Sequence, residues 1–374
     1  MGTLGYKIMK VKFNDLSRIH QLVSRNIEKE ISKIVKNSSF ILGDKVEEFE
    51  NNFSNFTNSK YTISCANGTD AIELVLRSFE ISKGDEVLIP ANTFIATALA
   101  VSRTGAKPIF YDCDKFYLSD VLSLEKKITN KTKAIIAVNL YGQMVNVENI
   151  SKIAKKYKLF FIEDSAQAHG SKRNNFSPGK FSDAATYSFY PGKNLGAWGD
   201  AGAITTNSAK VKNDLQLLRN WGSKKKYIHE KIGFNSRLDP VQAVVLIEKL
   251  KYLEEWNSMR TNIADLYFDR LEQNPYLELP LIDKENLHTW HLFVVKLKNR
   301  NLFSNYLSKM NIDTVIHYPK IVPNQKAYKT TNQKNMDYIN AYRNQSKIIS
   351  LPLFPLMTIK EVDYVSKTIN NFKK

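Results

Sequence analysis

One lysine, Lys193, occupies a position where a lysine can act as a nucleophile. It follows an apolar stretch, Ala185 to Tyr190, that the pattern predicts as a strand, and only Pro191-Gly192 separates the two. At the carboxyl end of a buried sheet, lost hydration and neighbouring cations lower the pKa of a lysine amine. A partly neutral amine can form a Schiff base with pyridoxal phosphate or with a carbonyl substrate. Because most lysines after a Pro-Gly pair lie in ordinary loops, this hypothesis depends on the rest of the chain.

A second group of residues suits an anion. Gly68 and Thr69 follow the predicted strand Y-T-I-S-C, in a turn that opens a helix. The free amides and the dipole of a helix N-terminus attract a phosphate. Asn67 or Thr69 could equally serve as an ordinary helix cap, and from these residues alone both interpretations stay open. Ser188, five residues before Lys193, could add a hydroxyl to the same phosphate.

A third group suits a flat, nitrogen-containing ring. Asp164 ends the predicted strand K-L-F-F-I-E-D, and Gln167 lies three positions further on. A carboxylate at a buried strand end needs a cation, and a protonated pyridine nitrogen is such a partner. Gln167 could donate to the phenolic oxygen of that ring, and Phe94 could stack on its face. The commoner structural roles are helix capping for Asp164 and core packing for Phe94.

Alternating strand and helix patterns between residues 60 and 164 position these groups. The strands Y-T-I-S-C, G-D-E-V-L-I-P, K-P-I-F-Y-D, K-A-I-I-A-V-N-L and K-L-F-F-I-E-D are almost wholly apolar. Strands of this kind are buried on both faces, which predicts an α/β domain with a mostly parallel sheet flanked by helices. Ligands of such sheets bind at the carboxyl ends of the strands, where the residues named above stand.

Helical patterns precede and follow this region. Residues 18–36 predict an amphipathic helix whose apolar stripe is Ile19, Leu22, Val23, Ile27, Ile31 and Val35. After Pro240 a helical tract runs to Leu271. Beyond it, H-L-F-V-V-K-L and D-T-V-I-H are predicted strands, with helices near Phe303, Tyr338 and Val362. We predict an N-terminal arm and large cofactor-binding domain over residues 1–250, and a smaller C-terminal α/β domain over residues 251–374.

Length and cysteine content narrow the class of protein. The 374 residues suffice for one large and one smaller domain. No stretch approaches the apolar length needed to span a bilayer, and the N-terminus lacks the sustained apolar region of a signal peptide. We interpret residues 1–8 as a leader or an added segment, with Met9 as an alternative start. Because Cys65 and Cys113 are the only cysteines, we expect no disulfide framework and a reducing cytoplasm.

The chain is strongly basic, with 54 Lys and Arg against 37 Asp and Glu and a formal net charge of +17. The lysines are spread along the whole chain, and the densest run, Lys224-Lys225-Lys226, is short. We find no helix-turn-helix, zinc-ligand or RNA-binding pattern, so no nucleic-acid partner and no metal site are expected. A lysine-rich coding bias explains the charge better, and a small anion such as a nucleotide diphosphate would also suit it.

The order of these signals along the chain resembles the DegT/DnrJ/EryC1/StrS family of sugar aminotransferases, which are pyridoxal-phosphate enzymes of fold type I. The matching stretches include F-I-L-G-D-K-V-E-E-F-E, A-N-G-T-D-A-I, F-I-E-D-S-A-Q-A-H-G, S-F-Y-P-G-K-N-L-G and G-F-N-S-R-L-D-P-V-Q-A. They extend from about Phe40 into the C-terminal region, which is nearly the whole chain.

The resemblance implies a role for each matching residue. Lys193 would bind pyridoxal 5'-phosphate covalently and then move a proton between substrate and cofactor. Asp164 would hold the pyridinium nitrogen, and Gln167 would bind the ring oxygen. The other implied contacts are Phe94 on the ring face, Gly68, Thr69 and Ser188 at the phosphate, and Asn235 at the phosphate of a neighbouring subunit's cofactor. The last contact implies a homodimer with the active site at the subunit interface.

Four positions bear on how this chain compares with the family. Relatives that dehydrate their sugar carry His at the lysine position, so Lys193 favours transamination. Phe94 stands where Tyr is frequent, Asn67 where Ser is frequent, and Ala201 where Gly is usual. None of these departures removes a catalytic group.

The stretches N-L-G-A-W-G-D-A-G and V-I-H-Y-P look closest to aminotransferases of dTDP-3-keto-6-deoxyhexoses that use glutamate as donor and serve surface glycan synthesis. By this resemblance Tyr190, His317 and Tyr318 would hold the hexose, although His317 could equally be a packed histidine before a turn. Amination at C3 rather than C4 rests on resemblance alone. The alternatives are a 4-keto-sugar aminotransferase, a pyridoxal-phosphate lyase or dehydratase, and a non-catalytic regulatory protein.

Overall fold

The computed structural model describes residues 9–329 and 335–372, so the predicted leader over residues 1–8 lies outside the described residues. Short 3₁₀ turns cover Val322–Asn324, Lys326–Tyr328 and Asn335–Tyr338. The α-helices are α1 (Leu16–Asn37), α2 (Asp44–Thr57), α3 (Gly68–Ser78), α4 (Ile95–Arg103), α5 (Val121–Glu125), α6 (Val147–Tyr157), α7 (Ala209–Leu218), α8 (Pro240–Leu250), α9 (Leu253–Leu271), α10 (Arg300–Lys309), α11 (Ile339–Asn344) and α12 (Ile359–Asn370).

Seven strands form one central sheet, in the order β1-β8-β7-β5-β4-β2-β3. They are β1 (Tyr61–Cys65), β2 (Glu86–Pro90), β3 (Lys107–Tyr111), β4 (Thr132–Val138), β5 (Phe160–Asp164), β7 (Ala184–Ser188) and β8 (Gly202–Thr206); the remaining strands are β6 (Lys172–Arg173), β9 (Ser223–Lys225), β10 (Ile228–His229), β11 (Asn286–Leu287), β12 (Phe293–Lys296) and β13 (Ile348–Leu351). Within this sheet β8 is antiparallel to the other six strands, which all run in the same direction. The mostly parallel sheet confirms the predicted α/β class.

Alternation along each strand buries both faces of this sheet. On β2, for example, Val87 and Ile89 pack into the core that contains α3, α4 and α7, whereas Leu88 packs into the core that contains α5 and α6. A buried strand therefore reads as an uninterrupted apolar run. Because all strands except β8 point the same way, β1, β5 and β7 end at one edge, just before Gly68, at Asp164 and at Ser188.

A further apolar core contains residues of α9, α10 and α12 and of β12 and β13, which pair as a two-stranded antiparallel sheet. Val11, from the N-terminal segment, is buried in it, and its carbonyl accepts the Asp313 amide at 2.9 Å. The division at residue 250 stays a prediction. No helix within the described ranges is long and apolar enough to cross a bilayer.

Three sequence predictions need correction. The stretch D-T-V-I-H does not form a strand. Its first residue, Asp313, hydrogen-bonds to Val11, whereas Val315 pairs with Ser350 in an isolated bridge, so no continuous ladder forms along the stretch. The strand predicted to reach Tyr190 ends at Ser188, whose hydroxyl accepts the Tyr190 amide at 3.3 Å as the chain turns.

The third correction concerns helices. The tract from Pro240 to Leu271 breaks at residues 251–252 into α8 and α9. Helix α1 forms as predicted, but two members of its apolar stripe, Leu22 and Val35, are 60% and 58% exposed. The stripe is therefore wider than the surface that this chain alone covers.

Candidate active site

The carboxyl ends of the central strands border a cavity of about 760 Å³. Ten of the eleven residues predicted for the site line this cavity: Gly68, Thr69, Phe94, Asp164, Gln167, Ser188, Tyr190, Lys193, His317 and Tyr318. The other, Asn235, lies exposed and outside the cavity of its own chain. Residues 126 positions apart in sequence, such as Asn67 and Lys193, thus share one cleft because the strands that precede them end together.

The N-terminus of α3 approaches the end of β7 very closely. A Cβ on Gly68 would lie 2.6 Å from the Cβ of Ser188, and one on Gly202 would lie 2.4 Å from the backbone of Asn67. Asn67 caps the helix by accepting the Asp70 amide at 2.9 Å, which settles its role as a helix cap. The two glycines therefore bring free helix amides and the Ser188 hydroxyl to one wall, a cradle that fits a phosphate.

Lys193 is held on a tight turn after β7. Its amide donates to the Tyr190 carbonyl at 2.8 Å, and Gly196 passes so close to Pro191 that a Cβ there would lie 2.3 Å from the Pro191 carbonyl oxygen. Burial lowers the pKa of the Lys193 amine to about 8, although the charge of Asp164 acts in the opposite direction. About a tenth of this amine is therefore neutral near pH 7, and the neutral form is the nucleophile.

Asn194, a residue that sequence reasoning missed, anchors the same turn. Its side-chain amide donates to the Asn257 oxygen at 2.9 Å and to the Thr289 carbonyl at 2.8 Å, and its oxygen lies 3.1 Å from Nδ1 of His291. Asn194 is 4% exposed. The K-N pair quoted in the motif was the available signal, but nothing in the sequence indicates the distant partners.

Asp164 is buried at the end of β5 and faces the lysine turn. Burial raises the pKa of its carboxyl, whereas hydrogen bonds from the Ala166 amide and the Thr97 hydroxyl and the charge of Lys193 lower it. Thr97 donates to Oδ2 at 2.9 Å, and Thr93 lies 2.8 Å from Thr97. A carboxylate held this way can pair with a protonated ring nitrogen. Sequence reasoning missed both threonines.

Gln167 has both ends of its amide engaged. Its oxygen accepts the Tyr141 amide at 2.9 Å, and its nitrogen donates to the Tyr318 hydroxyl at 3.0 Å. The Tyr318 ring in turn lies 5.3 Å from that of Phe94, between centroids. The predicted ring-oxygen ligand, one predicted sugar ligand and the predicted stacking ring thus form one contiguous group.

His317 is held by contacts on two sides. Its Nδ1 lies 2.8 Å from the Ser350 hydroxyl, and its ring packs 5.7 Å from that of Phe13. Burial, followed by the charge of Lys193, lowers its pKa to about 4, so the imidazole is neutral at pH 7. Phe13 and Asn14, from the segment before α1, also line the cavity and were not anticipated. Nothing local to those residues signals that they reach the strand ends.

Comparisons with known proteins place this geometry in a family. The sequence profile of the DegT/DnrJ/EryC1/StrS aminotransferase family matches residues 22–370. The dTDP-3-amino-3,6-dideoxy-alpha-D-galactopyranose transaminase of Aneurinibacillus thermoaerophilus is 44% identical over 97% of this chain and 99% of its own length.

Solved structures agree. The DesV protein of S. venezuelae, solved in complex with a ketimine intermediate, superposes with a TM-score of 0.94 at 34% identity, covering 96% of this chain and 98% of its own. The NtdA protein of Bacillus subtilis, solved with bound PMP, gives a TM-score of 0.90 at 31% identity, covering 98% and 85%. The predicted aminotransferase fold and pyridoxal-phosphate dependence are thereby confirmed. This chain belongs to the DegT/DnrJ/EryC1/StrS aminotransferase family.

Proposed function

We propose that this protein transfers an amino group from glutamate to a nucleotide-linked keto-deoxyhexose. The substrate that we favour is a dTDP-3-keto-6-deoxyhexose, which gives a dTDP-3-amino-3,6-dideoxyhexose for surface glycan or glycoconjugate synthesis. The observation that carries the proposal is that Lys193 and Asp164 line one cavity, beside a cradle that fits a phosphate. The name of the 44% identical relative supports the sugar class.

Pyridoxal phosphate, when bound, supplies an electron sink for the carbon that gains or loses the amino group. The residues of this chain would bind and orient the cofactor and move the proton. The amides at the start of α3, with Thr69 and Ser188, would hold the phosphate, and Asp164 would keep a proton on the ring nitrogen. Lys193, whose pKa is lowered to about 8, would hold the cofactor and then move a proton between substrate and cofactor.

The sugar side of the cavity is formed by Tyr190, His317 and Tyr318. Tyr190 is 60% exposed at the mouth, which leaves its ring and hydroxyl free to meet a ligand. His317, neutral because burial lowers its pKa to about 4, can hydrogen-bond a sugar hydroxyl without bringing a charge. The protein's net charge of +17 favours the approach of a nucleotide diphosphate.

The position of amination is tested by product analysis. The holoenzyme is incubated with glutamate and either dTDP-3-keto- or dTDP-4-keto-6-deoxyglucose, with Lys193→Ala as the control that should make neither product. We expect amination of the 3-keto sugar. Amination of only the 4-keto sugar would overturn the proposed substrate in favour of the 4-keto-sugar alternative, and a product without nitrogen would indicate a dehydratase.

We further propose a homodimer in which Asn235 reaches the partner's cofactor phosphate. The exposed position of Asn235 supports this, as do the apolar side chains exposed nearby on the segment from Trp221 to Ile232; Trp221, Tyr227, Ile228 and Ile232 are 47%, 83%, 57% and 94% exposed. The exposed Leu22 and Val35 of α1 offer further apolar surface for a second copy.

Mixed dimers test this arrangement. A dimer of one Lys193→Ala chain and one Asn235→Ala chain carries one site with both residues intact if Asn235 acts across the interface. Co-refolding the two inactive variants should therefore restore activity, up to about a quarter of wild type if pairing is random and half of the chains form mixed dimers with one working site. No restored activity with dimers present would contradict the shared site.

A regulatory protein without catalysis is the remaining alternative, and the intact Lys193 and Asp164 argue against it. Apoprotein that takes up no pyridoxal phosphate at saturating concentration would support it. We also propose a cytoplasmic location, since Cys65 and Cys113 are both buried and unpaired, as expected in a reducing compartment.

A further inference from the structure

We propose that Thr97 is a positioning residue that holds Asp164 in its ionised form and in the correct orientation for the cofactor's ring nitrogen, with Thr93 as the next link. The inference rests on the proposed function, because it concerns the same cofactor site. It adds two residues to which the sequence assigned no role.

The direction of this hydrogen-bond chain follows from counting protons. Thr97 Oγ1 lies 2.9 Å from Asp164 Oδ2, and an ionised carboxylate only accepts, so the single hydroxyl proton of Thr97 points to Asp164. Thr93 Oγ1 lies 2.8 Å from Thr97 Oγ1, whose proton is already used, so Thr93 must donate to Thr97. The chain therefore runs from Thr93 to Thr97 to the carboxylate, and each donor polarises the next.

The buried surroundings strengthen the hydrogen bonds that these hydroxyls make. Thr93 and Thr97 are 2% and 1% exposed and Asp164 is 5% exposed, so water competes little for their protons. Burial alone raises the pKa of Asp164, and the Thr97 hydrogen bond opposes that rise. The Ala166 amide donates to the other oxygen, Oδ1, at 3.2 Å. One donor on each oxygen fixes the plane of the carboxylate.

A nearby threonine shows that this arrangement is not general to the helix. Thr104, which follows α4, is also buried, at 7% exposure, but its hydroxyl donates to the Val101 carbonyl at 2.8 Å. That is a local contact within one helical turn. Thr97 instead bonds Asp164, which is 67 positions away at the end of strand β5. Thr104 is therefore a matched control for the loss of a buried threonine hydroxyl.

Loss of the Thr97 hydroxyl should act through the ring nitrogen. Without it, Asp164 keeps its own proton more readily and holds the protonated nitrogen less well. Deazapyridoxal phosphate, in which C–H replaces the ring nitrogen, cannot use that contact. The test measures dissociation constants of pyridoxal phosphate and of deazapyridoxal phosphate for wild type, Thr97→Val, Thr97→Ser and Thr104→Val.

We expect Thr97→Val to weaken pyridoxal phosphate binding about tenfold, the size of one hydrogen bond to a charged group, and to change deazapyridoxal phosphate binding less than about twofold. Thr97→Ser should restore wild-type values, and Thr104→Val should not discriminate between the two ligands. Equal weakening of both ligands by Thr97→Val would mean a packing role only and would overturn the inference. If the wild-type protein binds neither ligand, both the proposed function and the role of Thr97 are wrong. If it binds both ligands, the experiment tests the role of Thr97 alone.

Discussion

Gln167 donates its side-chain amide to the hydroxyl of Tyr318 over 3.0 Å, joining a residue expected at the cofactor to one expected at the sugar. The two lie 151 positions apart and meet because β5 and the segment after Val315 converge on one cavity. An amide nitrogen carries two protons, so Gln167 can still serve a ring oxygen while it bonds Tyr318. Tyr318 therefore supports the predicted ring-oxygen ligand, Gln167, in addition to its own predicted role at the sugar.

Tyr318→Phe should therefore slow a reaction that involves no sugar. In the half-reaction with glutamate alone, followed by the change in cofactor absorbance, we expect a loss of about fivefold, since one neutral hydrogen bond is removed. Tyr190→Phe, at the exposed mouth, is the control and should leave that half-reaction unchanged. If Tyr318→Phe raised only the KM for the sugar, the hydroxyl would serve the sugar alone, as the sequence had suggested.

The rate at which the apoprotein captures pyridoxal phosphate should follow the neutral fraction of Lys193. Burial lowers this pKa from the usual 10.5 to about 8, so the rate rises about tenfold per pH unit below 8 and levels off above it. The charge of Asp164 raises the Lys193 pKa, so Asp164→Asn should move the levelling-off point to lower pH. Stopped-flow absorbance measures both curves, and a shift to higher pH would contradict the electrostatic effect of Asp164 on Lys193.

Gly68→Ala should damage phosphate binding specifically. The new Cβ would lie 2.6 Å from the Cβ of Ser188, so the helix start and the strand end must separate. We expect the affinity for pyridoxal phosphate to fall at least about tenfold, because the cradle is charge-assisted, while the affinity for phosphate-free pyridoxal changes little. Fluorescence titration with both ligands makes the comparison. A similar loss for both would mean that the glycine shapes the whole cavity and not the phosphate cradle.

The segment that carries Asn235 depends on a buried ion pair. Arg219 pairs with Glu50 and also donates to the Ser64 carbonyl at 2.7 Å, and its own carbonyl accepts the Ser236 amide at 2.9 Å. Arg219→Ala leaves a buried carboxylate unpaired and should cost about 3–5 kcal/mol of unfolding free energy.

Denaturant unfolding measures this cost. Lys33→Ala, which removes the exposed i,i+3 partner of Glu30, is the control and should cost less than about 1 kcal/mol. If Arg219→Ala were as mild as the control, water would reach Glu50, and the pair would have no structural role.

The sequence was sufficient to predict that the candidate site residues at the strand ends lie together. Lys193, Asp164 and Gly68 each follow an apolar run, and parallel strands bring such ends together. The sequence was insufficient to predict residues whose role depends on a partner that is distant along the chain. Thr97 looks like any buried helical threonine until Asp164, 67 positions away, is placed beside it.

The local sequence pattern also does not indicate whether an apolar face is covered. The apolar stripe of α1 was predicted from periodicity and the helix forms, yet Leu22, a member of the stripe, is 60% exposed in a single chain. Periodicity indicates that a face is apolar and does not indicate which molecule covers it. Likewise D-T-V-I-H has strand composition, but Asp313 and Val315 bond to different segments, so no continuous ladder forms.

The central claim is that Lys193 holds the cofactor, and Lys249 offers an internal comparison. Lys249 is also buried, at 2% exposure, and burial lowers its pKa to about 8 as well, but it donates to the Gly196 carbonyl at 2.6 Å and does not line the cavity. A low pKa therefore does not by itself identify the reactive lysine.

Borohydride reduction of the holoenzyme, followed by mass spectrometry of its peptides, tests the claim most directly. The account predicts one cofactor adduct per chain, on Lys193, and none after Lys193→Ala. An adduct on Lys249 or on a surface lysine, or wild-type protein that carries none at saturating pyridoxal phosphate, would contradict it.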